Sequence, residues 1–303
     1  MSSQPRRESL RSAKKFTRFI LLSSLIAGAS LVSLFALGVV PAAPQTTSAG
    51  QSLSSLGIPS GVYLGNPNIP APSIGLSPTA AASYNWAGYG VSTTAGSVTY
   101  VYGSWKVPTV GGPLCATTAW HASVTFVGID GLNSPTVEQV GTASQCYLGA
   151  LEYYAWYEFY PAGSVIISAL TVAPGNVMQA SVTYSGGFFT VFIKDVTTGQ
   201  SFTGAPTSVA GASESSADWI TESPAGAIGV LELPNFGTVA FTGGVATIGG
   251  VTRSIGSSSV VGTVYSLKMV DFPATSPNKA TASGLSSGGK NFNVKYVSSG
   301  PYG

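Results

Sequence analysis

The stretch Val177-Met-Gln-Ala-Ser-Val-Thr-Tyr-Ser-Gly-Gly-Phe-Phe-Thr-Val-Phe-Ile-Lys-Asp-Val196 decides the fold. It holds two runs, Val177 to Tyr184 and Phe188 to Val196, parted by Gly186-Gly187. β-Branched and aromatic residues suit a pleated, half-buried strand, and a glycine pair between two such runs signals a turn. The same grammar continues outward. Upstream, Ser97 to Val107 closes at Pro108, Trp120 to Ile129 at Asp130-Gly131, Tyr153 to Tyr160 at Pro161, and Val165 to Val172 at Pro174-Gly175. Downstream, Thr198-Gly199 is followed by runs at Ile228 to Leu233, Gly237 to Thr242 and Val261 to Val270. Short strands at this spacing predict an all-β chain folded as an antiparallel β-sandwich.

Composition agrees. Of 303 residues, 44% are hydrophobic and only 8% charged, with 38 Gly and 19 Pro. The charges are unevenly placed. Arg6, Arg7, Arg11, Lys14, Lys15 and Arg18 precede an uncharged apolar run from Phe19 to Val40, and Pro41-Ala42-Ala43 offers small residues for cleavage. This pattern predicts that residues 1–43 are a signal peptide or an N-terminal membrane anchor, with everything beyond exported. Residues 44–82, rich in Pro, Ser, Gly and Ala, read as a linker or short pro-segment with little structure of its own. The main domain is expected over residues 83–272, and residues 273–303 as a polar tail.

Without the leader the chain keeps 7 basic and 10 acidic groups, a net charge of about −3. No basic patch remains, so nucleic acid is not an expected partner. So few carboxylates and cations leave little paired charge to lose in acid. Cys115 and Cys146 lie in the exported part, where disulfides persist, and no activating partner marks either as a reactive thiol. A bridge between them would contribute on the order of 3–4 kcal/mol by closing a loop of about 30 residues.

The inventory excludes much chemistry. His121 is the single histidine, in a strand-like stretch, and no Gly-x-Ser-x-Gly elbow occurs, so a Ser-His-Asp or Cys-His site is not expected. The chain cannot supply the usual zinc ligands, and it has no phosphate-binding or dinucleotide motif; no metal or cofactor is expected. Neither Asp-Thr-Gly nor Asp-Ser-Gly is present. Carboxylate and amide chemistry remains. Asp130, Glu158 and Glu222 each stand in apolar or aromatic sequence, where a carboxyl group is costly unless hydrogen-bonded and its pKa rises. That is how a group is fitted for acid–base work.

Five stretches, in order, carry a resemblance: Asn85-Trp-Ala-Gly-Tyr89, Val127-Gly-Ile-Asp-Gly131, Glu138-Gln-Val-Gly-Thr142, Tyr154-Ala-Trp-Tyr-Glu-Phe-Tyr-Pro161 and Ala217-Asp-Trp-Ile-Thr-Glu222. Together they resemble the glutamic peptidase family, the eqolisins. The resemblance implies two large antiparallel sheets in a concanavalin-like or jelly-roll sandwich, with a concave substrate groove. It also implies a catalytic pair at Gln139 and Glu222, with Trp86, Asp130, Glu158 and Tyr160 lining or supporting the groove. Phe126 stands where fungal members commonly carry Trp, and Asp218 where they carry Glu.

The expected function is therefore an exported acid endopeptidase acting on polypeptide substrates. Glu222 would deprotonate water and then protonate the leaving amine, while the Gln139 amide would hold the water and the oxyanion, without a covalent intermediate. Two other readings use the same residues. A glycoside hydrolase would pair Glu158 with Glu222 and leave Gln139 far away. A non-catalytic glycan- or peptide-binding module would use Trp86, Trp156 and Tyr160 and bring no Gln/Glu pair together.

Overall fold

The computed structural model describes residues 56, 58–59, 62–71, 79–226, 229–257, 259, 261–271 and 278–300. The first strands among them are β1 (Pro70–Ala71), β2 (Ala80–Ser83), β3 (Trp86–Ser92), β4 (Val98–Lys106) and β5 (His121–Asp130). Next come β6 (Val137–Tyr147), β7 (Ala150–Tyr160), β8 (Val165–Ile166), β9 (Val177–Ser185) and β10 (Phe188–Asp195). Then follow β11 (Ser201–Thr203), β12 (Ser216–Glu222), β13 (Ala225–Gly226), β14 (Gly229–Val230) and β15 (Thr238–Ile248). The last are β16 (Val251–Ser254), β17 (Thr263–Val270), β18 (Asn278–Ala282) and β19 (Phe292–Tyr296).

The deciding stretch folds as expected. β9 and β10 pair antiparallel from Ser185↔Phe188 to Met178↔Asp195, across a turn whose two residues, Gly186 and Gly187, both have positive φ. A two-residue turn of this kind matches the right-handed twist of the strands it joins.

The ladders build two layers. One runs β2-β17-β3-β12-β5-β6-β7 and is antiparallel except where β2 meets β17. The other runs β19-β15-β4-β9-β10-β11, fully antiparallel. β18 pairs with both β17 and β19, so hydrogen bonding continues from one layer into the other. Between the layers lies the larger core. Tyr89, Ile129, Val140 and Trp219 enter it from the first layer, Trp105, Val182, Ile193 and Phe241 from the second. The protein is an antiparallel β-sandwich, with side chains from two facing sheets packed together.

The first layer is covered on its other face as well. β5 and β12 are buried at every residue. Side chains alternate along a strand, so Trp219 enters the larger core while Asp218, Ile220 and Glu222 share the opposite face. On that face Trp86, Phe126, Trp156 and Ile220 form a second apolar cluster, and Ile58, Val62 and Leu64 complete it from the N-terminal side. The β3–β12 ladder that carries Glu222 depends on a glycine. Gly88 has φ 147°, and a Cβ there would run into the Trp219 carbonyl.

Two boundary expectations change. Residues 273–303 are not a loose tail among their described members, since β18 and β19 are laddered to β15 and β17. Phe292 and Val294 are buried, and Lys279 donates to the Leu231 carbonyl at 2.9 Å. Phe292-Asn-Val-Lys-Tyr296 does alternate apolar and polar residues, but the run is short and set in Gly/Ser-rich sequence, and its register is fixed by distant partners. The described members of 44–82 pack on the domain as well. β1 pairs with β2, and Ile58, Val62 and Leu64 are buried. The expected leader, 1–43, lies outside the described residues; among those, no helix is long and apolar enough to cross a membrane.

Val294→Ala is expected to lower unfolding stability by about 1–3 kcal/mol. Val297→Ala, at a site 47% exposed, should stay within about 0.5 kcal/mol of wild type. Denaturant titrations of the two variants check this; equal, negligible effects would return the segment to tail status.

Candidate active site

Five strands of the first layer deliver the candidate residues to one face. Glu222, the last residue of β12, pairs with Trp86 on β3 and Val124 on β5. Gln139 on β6 pairs with Gly128 on β5 and Glu158 on β7. Three aromatic rings floor the space between them. Trp86 meets Phe126 edge-on at 5.7 Å, and Phe126 meets Trp156 edge-on at 6.1 Å.

Glu222 is fully buried, and donors surround it. Its Oε1 accepts from Asn85 Nδ2 at 3.1 Å and from the Asn66 amide at 2.9 Å; its Oε2 accepts from Trp86 Nε1 at 2.9 Å. Glu158 Oε2 accepts from Gln139 Nε2 and from the Gly65 amide, both at 3.1 Å. Two consecutive main-chain amides, Gly65 and Asn66, thus rest on the two carboxyl groups. The Gln139 side chain is hydrogen-bonded to one of them, and its Oε1 is buried without a protein partner.

Burial drives both carboxyl groups well above the ordinary range, Glu158 and Glu222 alike, and the hydrogen bonds they accept pull in the opposite direction. The negative charge of Glu158 also raises Glu222. Two such carboxyls do not both ionise until the pH stands well above the ordinary carboxyl range. The arrangement offers a proton acceptor, a neighbouring acid and a non-titrating amide, which is what water-mediated hydrolysis requires.

The remaining sequence-derived residues divide. Tyr160, half-buried at the end of β7, meets the Tyr63 ring edge-on at 5.2 Å. Asp130 stands at φ 68° and turns its carboxylate onto the 213–215 loop, accepting the amides of Ser213, Glu214 and Ser215 at 2.7–2.9 Å. Of the two roles its motif position implied, lining or supporting the groove, these bonds fit support. His121 sits at the opposite end of β5, buried and bonded to Thr117 Oγ1 at 3.1 Å. Cys115 and Cys146 form a disulfide.

Sequence reasoning missed Asn85. It stands beside the singled-out Trp86, yet its amide reaches Glu222 while its Oδ1 accepts from the Ile69 amide at 2.8 Å. Ser164, whose Oγ accepts from the Leu64 amide at 3.1 Å, was also missed. The Asn-Trp pair opening the first motif was the available signal for Asn85; Ser164 had none. Among the described residues no group of three or more His, Cys, Asp or Glu gathers in a way that would hold a metal ion. The glycosidase reading required Gln139 to stand far from the carboxyl pair, whereas it is hydrogen-bonded to Glu158.

Comparisons with known proteins bear on this face. The model of the Peptidase A4 family matches residues 84–296. Aspergillopepsin-2 of Aspergillus niger is 34% identical over 166 residues, 53% of this chain and 56% of that protein. The chain thus spans about half the length of the curated relative it matches. Scytalido-glutamic peptidase, solved with a transition state analog inhibitor, has a TM-score of 0.58 at 22% identity, covering 71% of this chain and 98% of that one. SCP-B, a member of the eqolisin family of peptidases solved with the tripeptide Ala-Ile-His, has a TM-score of 0.55 at 23% identity, with the same coverage. These two likenesses are of fold.

A further set of carboxyls lies nearby. Both Glu138 oxygens are buried without a hydrogen-bond partner, and burial, helped by Asp130 and Glu214, raises this group to about 9. Buried Asp218 is raised in the same direction. A carboxyl with a raised folded-state pKa keeps its proton to higher pH than it does in the unfolded chain. Its stabilising share is complete below the unfolded value near 4.5 and is lost as pH climbs toward 9. The melting temperature is therefore expected to fall from pH 4 to pH 8, and Glu138→Gln should flatten that slope. Calorimetry of both chains across this range checks it; a stability that rises toward neutrality would refute the sign.

Proposed function

The chain belongs to the Peptidase A4 family, and we propose that it is an exported endopeptidase, working in acid, in which Gln139 and Glu222 activate water against a peptide carbonyl. One observation carries the reading: consecutive amides of a peptide segment lie on Glu158 and Glu222, with Gln139 bound to the same Glu158 oxygen. A face that already holds a main chain against two carboxyls and an amide is suited to hydrolysing one.

The Glu222 carboxylate takes a proton from water as the water oxygen bonds to the carbonyl carbon. The negative charge arriving on the carbonyl oxygen is met by the Gln139 amide donor. The carbon–nitrogen bond then breaks as Glu222 passes the proton to the departing amine. No bond to the protein forms at any stage. Trp86 Nε1 and Asn85 Nδ2 orient the Glu222 carboxylate, and Glu158 orients the Gln139 amide through the 3.1 Å bond. Trp86 and Tyr160 flank the substrate chain, while Asp130 supports the groove from behind by fixing the 213–215 loop. In the working form the three bonds that Glu222 accepts favour its carboxylate, while Glu158 holds the proton of the pair; the pH dependence follows these carboxyls, and no histidine takes part. The Cys115–Cys146 bridge and the basic, then apolar, leader support export.

Glu222→Gln is expected to fold normally and to lose about 10³-fold or more in turnover, since one side chain serves as both base and acid. Gln139→Ala should lose more than the ~10² typical of one oxyanion donor. Both are measured on denatured protein in acid, beside the wild-type chain. Near-normal turnover of Glu222→Gln would assign the base elsewhere.

A further inference from the structure

β7 is the last long strand of the first layer, and only part of its outer edge is covered. β8 pairs with Trp156 and Tyr157, and the Ile167 amide donates to the Ala155 carbonyl at 2.9 Å. The Ala155 carbonyl therefore points away from β6. Main-chain groups of an antiparallel strand alternate in direction, and the β6–β7 register runs unbroken from Tyr160 to Ala150. The amides and carbonyls of Tyr153 and Leu151 thus point outward too, and among the described residues no donor or acceptor meets them. They open into a cleft of about 470 Å³. Leu151 and Tyr153 line it from one face of the strand, Glu152 and Tyr154 from the other, so the cleft is centred on the edge itself. Its far wall is the 166–172 loop, held in place because Ile167, Leu170 and Val172 are buried in the larger core.

We propose that the Leu151–Tyr154 edge of β7 is a docking strip for an extended segment of the polypeptide substrate, outside the groove. Its role rests on the peptidase reading above, while the site itself is distinct from the carboxyl-bearing face. Unmet amides and carbonyls on every second residue are what an added strand satisfies, and a peptide main chain supplies both donor and acceptor at that spacing. Exposed edges are commonly blunted by lysine, proline or a bulge, and Ala150-Leu-Glu-Tyr-Tyr154 has none of these. Its one charge, Glu152, is turned to Gln145, whose Nε2 donates to it at 2.6 Å. Apolar surface continues from the edge to the hairpin tip, where Tyr147, Leu148 and Leu151 are all exposed. Leu148 is 59% exposed although it stands at φ 52° before Gly149, a turn position that suits Asn, Asp or Gly. An extended segment thus finds main-chain partners along the edge and an apolar seat at its end. Tyr153 precedes Glu158 on the same strand by about 17 Å, so one substrate chain of sufficient length reaches both.

A peptide of about six residues cleaved at its middle reaches about 10 Å to either side, short of the edge, whereas an unfolded protein reaches it. The test sets the full wild-type chain beside Leu151→Pro. Because the Leu151 amide points outward, proline removes a docking donor and no ladder bond. Leu151→Lys, which keeps the donor and places a charge in the cleft, carries the test if the proline chain melts without cooperativity. Binding of a reduced, carboxymethylated protein in acid is measured in chains that also carry Glu222→Gln. On the chains without that change, kcat and KM are measured for the same protein and for the short peptide. Expected is about fivefold weaker binding, the effect of one lost hydrogen bond, and a matching rise in KM for the protein. The protein's kcat and both constants for the short peptide should stay unchanged. Unchanged binding and KM overturn the proposal, as does an equal loss on both substrates, which marks a disturbed groove; both leave the peptidase reading standing. A wild-type dimer in light scattering that Leu151→Pro converts to monomer also overturns it, because a second copy then occupies the edge. Binding that falls in the variant while no chain cleaves either substrate sinks the peptidase reading and leaves the strip as a peptide-docking edge.

Discussion

A carboxyl group removed from water must be met by donors, and the way Glu222 is met organises this half of the molecule. Its three donors come from the 62–68 segment, from the residue before β3 and from β3 itself. Leaving such a group unpaired in apolar surroundings costs several kcal/mol. The β3–β12 ladder therefore brings more than main-chain pairing, since it sets Trp86 directly opposite Glu222. Ser83 secures the entry to β3, its Oγ accepting the amides of Asn85 and Trp86 at 3.3 and 2.9 Å. The Glu222 carboxyl, the aromatic floor and the strand order are one constraint seen from three sides.

The first layer carries carboxyls on both faces, and the two faces use them differently. Glu138 follows the larger-core side of β6, while Gln139, the next residue, faces the groove. Both environments favour the protonated form through burial. The chain has only 11 acidic residues, and several of them are buried, where the protonated form is favoured. Scarce surface charge and buried neutral carboxyls belong together, because neither depends on ionised pairs that acid would discharge.

The apolar cover over the groove has a structural consequence as well. Ile58, Val62 and Leu64 bury a face that would otherwise present Trp86, Phe126 and Trp156 to solvent. One segment thus completes a hydrophobic cluster and rests two of its amides on the Glu158 and Glu222 carboxyls.

Strand content, hairpins and the sandwich class were legible in the sequence because they rest on local chemistry, namely β-branched runs cut by Gly and Pro. Gln139, Glu158, Glu222 and Trp86 could be singled out because each sits in a short recognisable stretch, and the fold brings them onto one face. The partners of Asp130 could not be read, since they lie on a loop more than eighty positions away. Asn85 reaches Glu222 across 137 positions, and β19 finds its register only against β15 and β18. The groove segment carries no periodic pattern to announce it. What sequence determined by itself was which groups exist and which stretches are extended, since these follow from each residue and its neighbours. What only the tertiary structure decided was which donors meet which carboxyls and what lies over them, because those pairings arise when distant strands share one face.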